Sequence, residues 1–185
     1  MRYTSVVDNA RKIQNLTIIG FMGTGKSSVG RLVAEILHFS FLDTDELIES
    51  RTGKSITDIF AQQGEAQFRE LERLVVQELG ARKKTVIATG GGLPVFNNNL
   101  ARLKKHSLVV CLWSSPERIW EHVRTQSHRP LLDEPDPLAK IRQLLTARAP
   151  FYRQADVLVN TELRSAREIA QQVIHQFHLA RAAHK

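Results

Sequence analysis

Leu16-Thr17-Ile18-Ile19-Gly20-Phe21-Met22-Gly23-Thr24-Gly25-Lys26-Ser27 is the stretch on which the reading of this chain turns. Its first four residues are apolar or β-branched, the composition of a strand. The next eight satisfy the pattern Gly-x4-Gly-Lys-Ser/Thr, and Val29, Leu32, Val33 and Ile36 then recur at helical spacing. Strand, glycine-rich turn and helix in that order make a phosphate cradle. Glycines let backbone N–H groups curl around phosphate oxygens without a clashing Cβ, and the helix adds its positive end. Lys26 is placed to reach the β- and γ-phosphates, and the Ser27 hydroxyl to ligate Mg²⁺. Gly23, Thr24, Gly25, Lys26, Ser27 and Ser28 are the candidate triphosphate-binding residues. The cradle by itself does not separate a kinase from a switch, a transporter or a motor ATPase.

Outward from this motif, short apolar runs alternate with longer segments of helical period. The expected strands are Leu16–Ile19, Ser40–Leu42, Thr85–Ala88, Leu108–Leu112 and Val157–Val159. Helices are expected after the cradle, around Phe68, Leu71, Val75 and Leu79, and around Glu117–Gln126, Leu138–Arg148 and Ala166–Phe177. Alternation of this kind predicts an α/β fold, a parallel sheet covered by helices on both faces. Ligands of such sheets bind outside the carboxyl ends of the strands, which directs attention to the residues following each run.

The remaining composition narrows the function classes. The chain has 185 residues, 42% hydrophobic and 24% charged, enough for one domain with a real core. The apolar runs are strand-sized, so no membrane span is expected. Residues 1–14 are polar, lack a secretory signal and read as a loose leader. A single cysteine, Cys111, rules out an internal disulfide and fits a reducing cytoplasm; within its apolar run it reads as a small buried hydrophobe. The net charge of +7 suits a polyanionic partner. Its basic residues are nevertheless scattered, with no basic run and no interleaved aromatics, and a phosphate-handling enzyme needs the same positive field in a smaller place, so charge alone does not choose. With the motifs below, ATP and a small acid are the expected partners and no nucleic acid or membrane. The histidines form no metal-ligand cluster.

Three further motifs follow strands or helices. Asp43-Thr44-Asp45 comes after the second strand run. In extended chain, residues two apart face the same side, so both carboxylates can face one cleft, one toward Mg²⁺ and one toward an attacking hydroxyl. An N-cap role before Glu46-Leu47-Ile48 is compatible with this. Arg69 can pair with Glu65 or Glu72 along its helix, or offer a planar fork to a substrate carboxylate. Gly90, Gly91 and Gly92 end the third strand, where close approach of a ligand to backbone is expected. The segment Arg129–Pro137, with three prolines, reads as an exposed excursion or lid.

In order, GFMGTGKS (20–27), DTD (43–45), FRELE (68–72), ATGGG (88–92), RPLL (129–132) and Arg148-Ala149-Pro150-Phe151-Tyr152 resemble the shikimate kinases, small members of the nucleoside-monophosphate-kinase-like P-loop proteins. The resemblance covers about residues 15–178. It implies a three-layer fold around a five-stranded parallel sheet in one kinase domain, with a substrate-binding region near 44–73 and a lid near 122–137. It implies ATP-dependent phosphorylation of the 3-hydroxyl of shikimate, in aromatic amino acid biosynthesis, by a cytoplasmic monomer. By motif, Asp43 joins Ser27 in the magnesium environment and Asp45 holds shikimate hydroxyls and is the candidate base. Arg69 and Arg148 grip the carboxylate, and Gly90–Gly92 line the ring. Arg129 is the lid arginine over the transferring phosphoryl group and, with Lys26 and Asp45, completes the implied catalytic set. Arg124 is implied to pack on adenine, with Arg164 in the adenine loop.

Two rival readings stay open at this point. One is a related kinase acting on a sugar acid or a nucleoside monophosphate. The other is a non-catalytic module that only holds ATP. Arg69, Gly90–Gly92 and Arg148 tell against a nucleotide acceptor, and the two aspartates against mere ATP holding.

Overall fold

The computed structural model describes residues 11–124 and 135–183. Strand β1 (Asn15–Gly20) is buried along its whole length and pairs on both sides, with β3 (Thr85–Ala88) and β4 (Ser107–Trp113). The edges are β2 (Ser40–Asp43), beside β3, and β5 (Val157–Asn160), beside β4. All pairings are parallel and the order is β2-β3-β1-β4-β5. Each strand lies within a residue or two of its expected bounds, because hydrophobic runs buried on both faces are visible in sequence.

Alternation along the strands divides the core in two. Ile19, Ile87, Val109 and Cys111 face α3 (Ile56–Leu79), α5 (Pro116–Val123) and α6 (Pro137–Tyr152), packing with Val75, Ile119 and Ile141. Leu16, Ile18, Val86, Val110 and Leu112 face α1 (Lys26–Leu37) and α7 (Ala166–Ala182), packing with Val33, Val173 and Phe177. The short helices α2 (Thr44–Thr52) and α4 (Asn99–Lys104) complete the chain. The expected three-layer α/β fold is the one observed. Among the described residues, no helix is long and apolar enough to cross a membrane. Cys111 is buried, and burial pushes its thiol up to about 12, so it packs and does not react.

Three expectations are corrected. The leader is not loose throughout: Ile13 is buried, and the Arg11 guanidinium pairs with Asp156, to which Lys104 also reaches at 3.1 Å. Asp156 in turn accepts the Val109 N–H at 2.8 Å, so residue 11 is tied to the sheet; residues 1–10 lie outside the described residues. Helix α6 does not stop at Arg148 but runs through Pro150 to Tyr152, with Asp136 capping its start at 2.9 Å. The backbone bond lost at Pro150 is offset by Tyr152, whose ring is buried and whose hydroxyl donates to Gly91 O at 2.6 Å. Helix α7 opens on a capping box between Ser165 and Glu168 and continues past Phe177 to Ala182.

Candidate active site

The central strand ends in the phosphate loop, and α1 starts at Lys26 with Gly25 as a left-handed cap. The loop is braced from within: Thr24 Oγ1 donates to Phe21 O at 2.8 Å, and Lys26 Nζ donates to the same carbonyl at 2.9 Å. Thr24 is buried in the loop's own scaffold, and with Gly23, Gly25, Lys26, Ser27 and Ser28 it lines a cavity of about 680 Å³. The cavity is lined also by Glu121 and His122 of α5 and by Thr161 and Arg164 from the loop after β5. His122 Nδ1 meets Gly23 O at 3.0 Å; since a carbonyl only accepts, that nitrogen carries the proton. Arg164 is held by Asn160 O and by Gln172 of α7. Arg124 is exposed, ends α5 and is not among the residues lining this cavity. Arg129 and most of the expected lid lie outside the described residues.

Asp43 is the last residue of β2 and the N-cap of α2, its Oδ1 accepting the Asp45 N–H at 3.0 Å. Its other oxygen accepts from Ser27 Oγ at 2.6 Å. Both aspartates face the cleft, but not by strand alternation. Asp45 already sits in the first turn of α2, and capping, not extended backbone, turns its carboxylate inward. Among the described residues no group of three or more histidine, cysteine, aspartate or glutamate side chains could hold a metal ion. The Ser27–Asp43 pair is a hard-oxygen set of the size Mg²⁺ takes from protein when phosphates and waters supply the rest.

Beside this cavity, and sharing Met22, Asp45, Glu49, Gly90 and Gly91 with it, lies a second of about 330 Å³. It is lined also by Phe60, Phe68, Arg69, Glu72, Gly92 and Arg148. Arg69 comes from α3 and Arg148 from α6, yet both converge here with Asp45 of α2. Arg148 is only 8% exposed, with its guanidinium 5.4 Å from the Phe21 ring centroid. Arg69 lies 4.1 Å from the Phe96 ring centroid and donates through Nη1 to Glu72 at 2.9 Å and through Nη2 to Glu65 at 2.8 Å. The two alternatives read from sequence, helical ion pair and cleft-facing fork, thus coexist. The triple glycine serves these side chains: a Cβ at Gly90 would stand 2.5 Å from Asp45 Oδ1, and one at Gly92 2.7 Å from Arg69 Nη1. The three glycines also line this cavity, as close approach of a ligand to their backbone requires. The loop is pinned by Thr44 Oγ1, which accepts the Gly90 N–H at 2.9 Å, and by the Tyr152 hydroxyl.

Glu72 and Tyr152 were missed as site residues. Both sat inside quoted motifs, but nothing in sequence marked Glu72 as buried. Burial pushes its carboxyl up to about 7, against the pull of Arg69. Burial likewise raises the Tyr152 hydroxyl to about 12, so it remains a donor to Gly91.

A phosphate loop that opens onto a cavity with two arginines and an aspartate can deliver a phosphoryl group to a small anion, and fold and site together define a P-loop small-molecule kinase. The family model for shikimate kinase matches residues 22–178. The shikimate kinase of Thermodesulfovibrio yellowstonii is 42% identical over 165 residues, 89% of this chain and 95% of that protein. The structure of the Acinetobacter baumannii shikimate kinase in complex with shikimate is similar at a TM-score of 0.85 and 40% identity, covering 91% of this chain and 94% of that one. A gluconokinase of Sinorhizobium meliloti, at 16% identity and a TM-score of 0.60, shares the fold alone. The chain belongs to the shikimate kinase family.

Proposed function

We propose that this protein transfers the γ-phosphoryl group of ATP to the 3-hydroxyl of shikimate, with Mg²⁺ bound beside the triphosphate. The observation that carries this reading is the convergence of Asp45, Arg69 and Arg148 on one cavity contiguous with the phosphate loop. Shikimate carries one carboxylate and three hydroxyls, and two arginines opposite an aspartate complement it chemically. In this reading Arg69 and Arg148 fix the carboxylate, and Asp45 accepts a hydrogen bond from the attacking hydroxyl and orients it in line with phosphorus.

At the nucleotide end, the loop amides from Gly23 to Ser28 and Lys26 hold the β- and γ-phosphates, and Lys26 stabilises charge on the transferring group. Ser27, with Asp43 behind it, would hold the Mg²⁺, which would supply positive charge to the phosphates. Arg164, which lines the nucleotide cavity with His122, is assigned to the adenine end, and Arg129, from the lid, to the equatorial oxygens, both on motif alone. Residues 44–73, the α2 helix and the first part of α3, form the acceptor-binding region within a single kinase domain.

An acceptor panel tests the reading. ADP release should require shikimate and Mg²⁺ together, and gluconate, AMP or no acceptor should not substitute. Turnover independent of shikimate, or preference for AMP, refutes the substrate assignment.

A further inference from the structure

Glu72 is 0% exposed, yet only one of its oxygens is engaged. Oε2 accepts from Arg69 Nη1 at 2.9 Å, while Oε1 has no hydrogen-bond partner among the described residues. The group lines the acceptor cavity. A buried ionised carboxylate with one oxygen lacking a donor is the costly state of this group, and protonation removes its buried charge.

The charges around Glu72 come from each element packed against it. Arg69 lies on its own helix, Arg148 on α6 and Asp45 on α2. Glu65 is more distant, on the other edge of Arg69, and Glu49 lines the same cavity while accepting the Ile56 N–H at 2.8 Å. The Tyr152 hydroxyl stays protonated at neutral pH, and the glycine loop contributes nothing titratable. Two arginines, Arg69 and Arg148, face Asp45 and Glu49 on this cavity, with Glu65 a further carboxylate on Arg69, so an ionised Glu72 would add one more negative charge to a site already balanced or negative. A carboxylate entering the cavity then meets an added like charge in a poorly solvated place, which a neutral Glu72 removes.

We propose that shikimate binds together with a proton: its carboxylate goes to Arg69 and Arg148, and Glu72 takes the proton from solvent and stays a neutral acid in the complex. This rests on the shikimate kinase reading of the cavity and deepens it, making Glu72 a residue whose protonation removes a like charge from the place the carboxylate enters. Burial already brings the carboxyl up to about 7, so it is poised to change state near neutral pH. The sign follows from a raised value: the acid form dominates below it, and acceptor binding weakens as pH rises through it.

Calorimetry on the full chain with shikimate and no nucleotide, at pH 7 in phosphate and in Tris, reads the proton directly because the two buffers differ in ionisation heat. The expected uptake is about half a proton per shikimate at pH 7, falling toward none at about pH 5.5. The Kd should rise by up to about tenfold per pH unit above 7. Glu72→Gln keeps an oxygen for Arg69 and cannot ionise; it should bind with no proton uptake and a flat pH profile. Equal heats in the two buffers for the wild-type chain overturn the proposal, as does linkage that persists in Glu72→Gln. Should that variant not fold, the wild-type buffer pair decides alone. Saturable binding without proton uptake sinks the proposal and leaves the substrate assignment standing, whereas no binding by a chain that still takes up ATP removes both.

Discussion

Alanine at position 92 asks whether Arg69 is what the acceptor meets. The new Cβ would stand 2.7 Å from Nη1, 2.9 Å from Nη2 and 3.1 Å from Cζ of Arg69. The backbone there, at φ −89 and ψ −22, suits alanine, so the substitution adds no strain of its own. What must yield is the tip of a flexible side chain, displaced by about 1 Å to restore ordinary contact. That shift spoils alignment with a carboxylate. A hydrogen bond to a charged group is worth about 1.5–3 kcal/mol, or about 10- to 150-fold in binding. Steady-state ADP release, with each substrate varied in turn, should show the shikimate KM raised by about that factor and the ATP KM changed by less than about twofold. A thermal melt should stay within a few degrees of wild type, because no core contact is lost. Gly90→Ala is the contrast: its Cβ would press on Asp45 Oδ1 at 2.5 Å, so the loss should fall on kcat. An unchanged shikimate KM in Gly92→Ala, or equal losses for both substrates, refutes the placement of Arg69 at the acceptor.

Further expectations concern the carboxylates and the metal. Asp45→Asn should bind ATP as the wild type does but slow transfer by about 10²- to 10⁴-fold, the usual share of a positioned base; single-turnover rates near wild type would remove Asp45 from the chemistry. Ser27→Ala takes away the hydroxyl that sits 2.6 Å from Asp43 Oδ2 and should raise the Mg²⁺ concentration for half-maximal rate by about tenfold, with shikimate binding in the absence of nucleotide unchanged. An unaltered Mg²⁺ titration would place the ion elsewhere. Asp156 is a stability device: burial alone would raise its carboxyl, but Arg11, the Val109 N–H and Lys104 together hold it low. Its contribution is therefore complete above the ordinary value of about 3.9 and is lost as pH falls through the lower folded one. The gap in melting temperature between wild type and Asp156→Asn should hold from neutral pH down to about 3.9 and narrow progressively below it; a gap that stays constant as the acid range is entered would show the ion pair to be unimportant.

What the chain states locally was readable without coordinates. The phosphate loop is a run of neighbours whose geometry depends on glycines, a lysine and the helix they open. The strands are short apolar runs, displaced from expectation by no more than a residue or two at their ends. Asp43 and Asp45 were legible as a pair because a cap is also local, although the backbone that directs them is helical and not extended. The end of α6 was not legible: Pro150 argues for a stop, and only the seat of Tyr152 against Gly91 carries the helix further. Arg11 was not either, since its partner Asp156 is far along the chain.

Side-chain spacing reports what meets along one element; burial depends on what the other elements lay over it. Glu72 three residues after Arg69 is a surface pair in any isolated helix, and it becomes an interior acid only because α2, α6 and the glycine loop close around it. Sequence determined that this chain cradles a triphosphate at the carboxyl ends of the strands of a parallel sheet. Tertiary packing alone decided which charges share the acceptor cavity, and that Arg69 and Arg148 there meet Asp45, Glu49 and a Glu72 whose carboxyl burial raises.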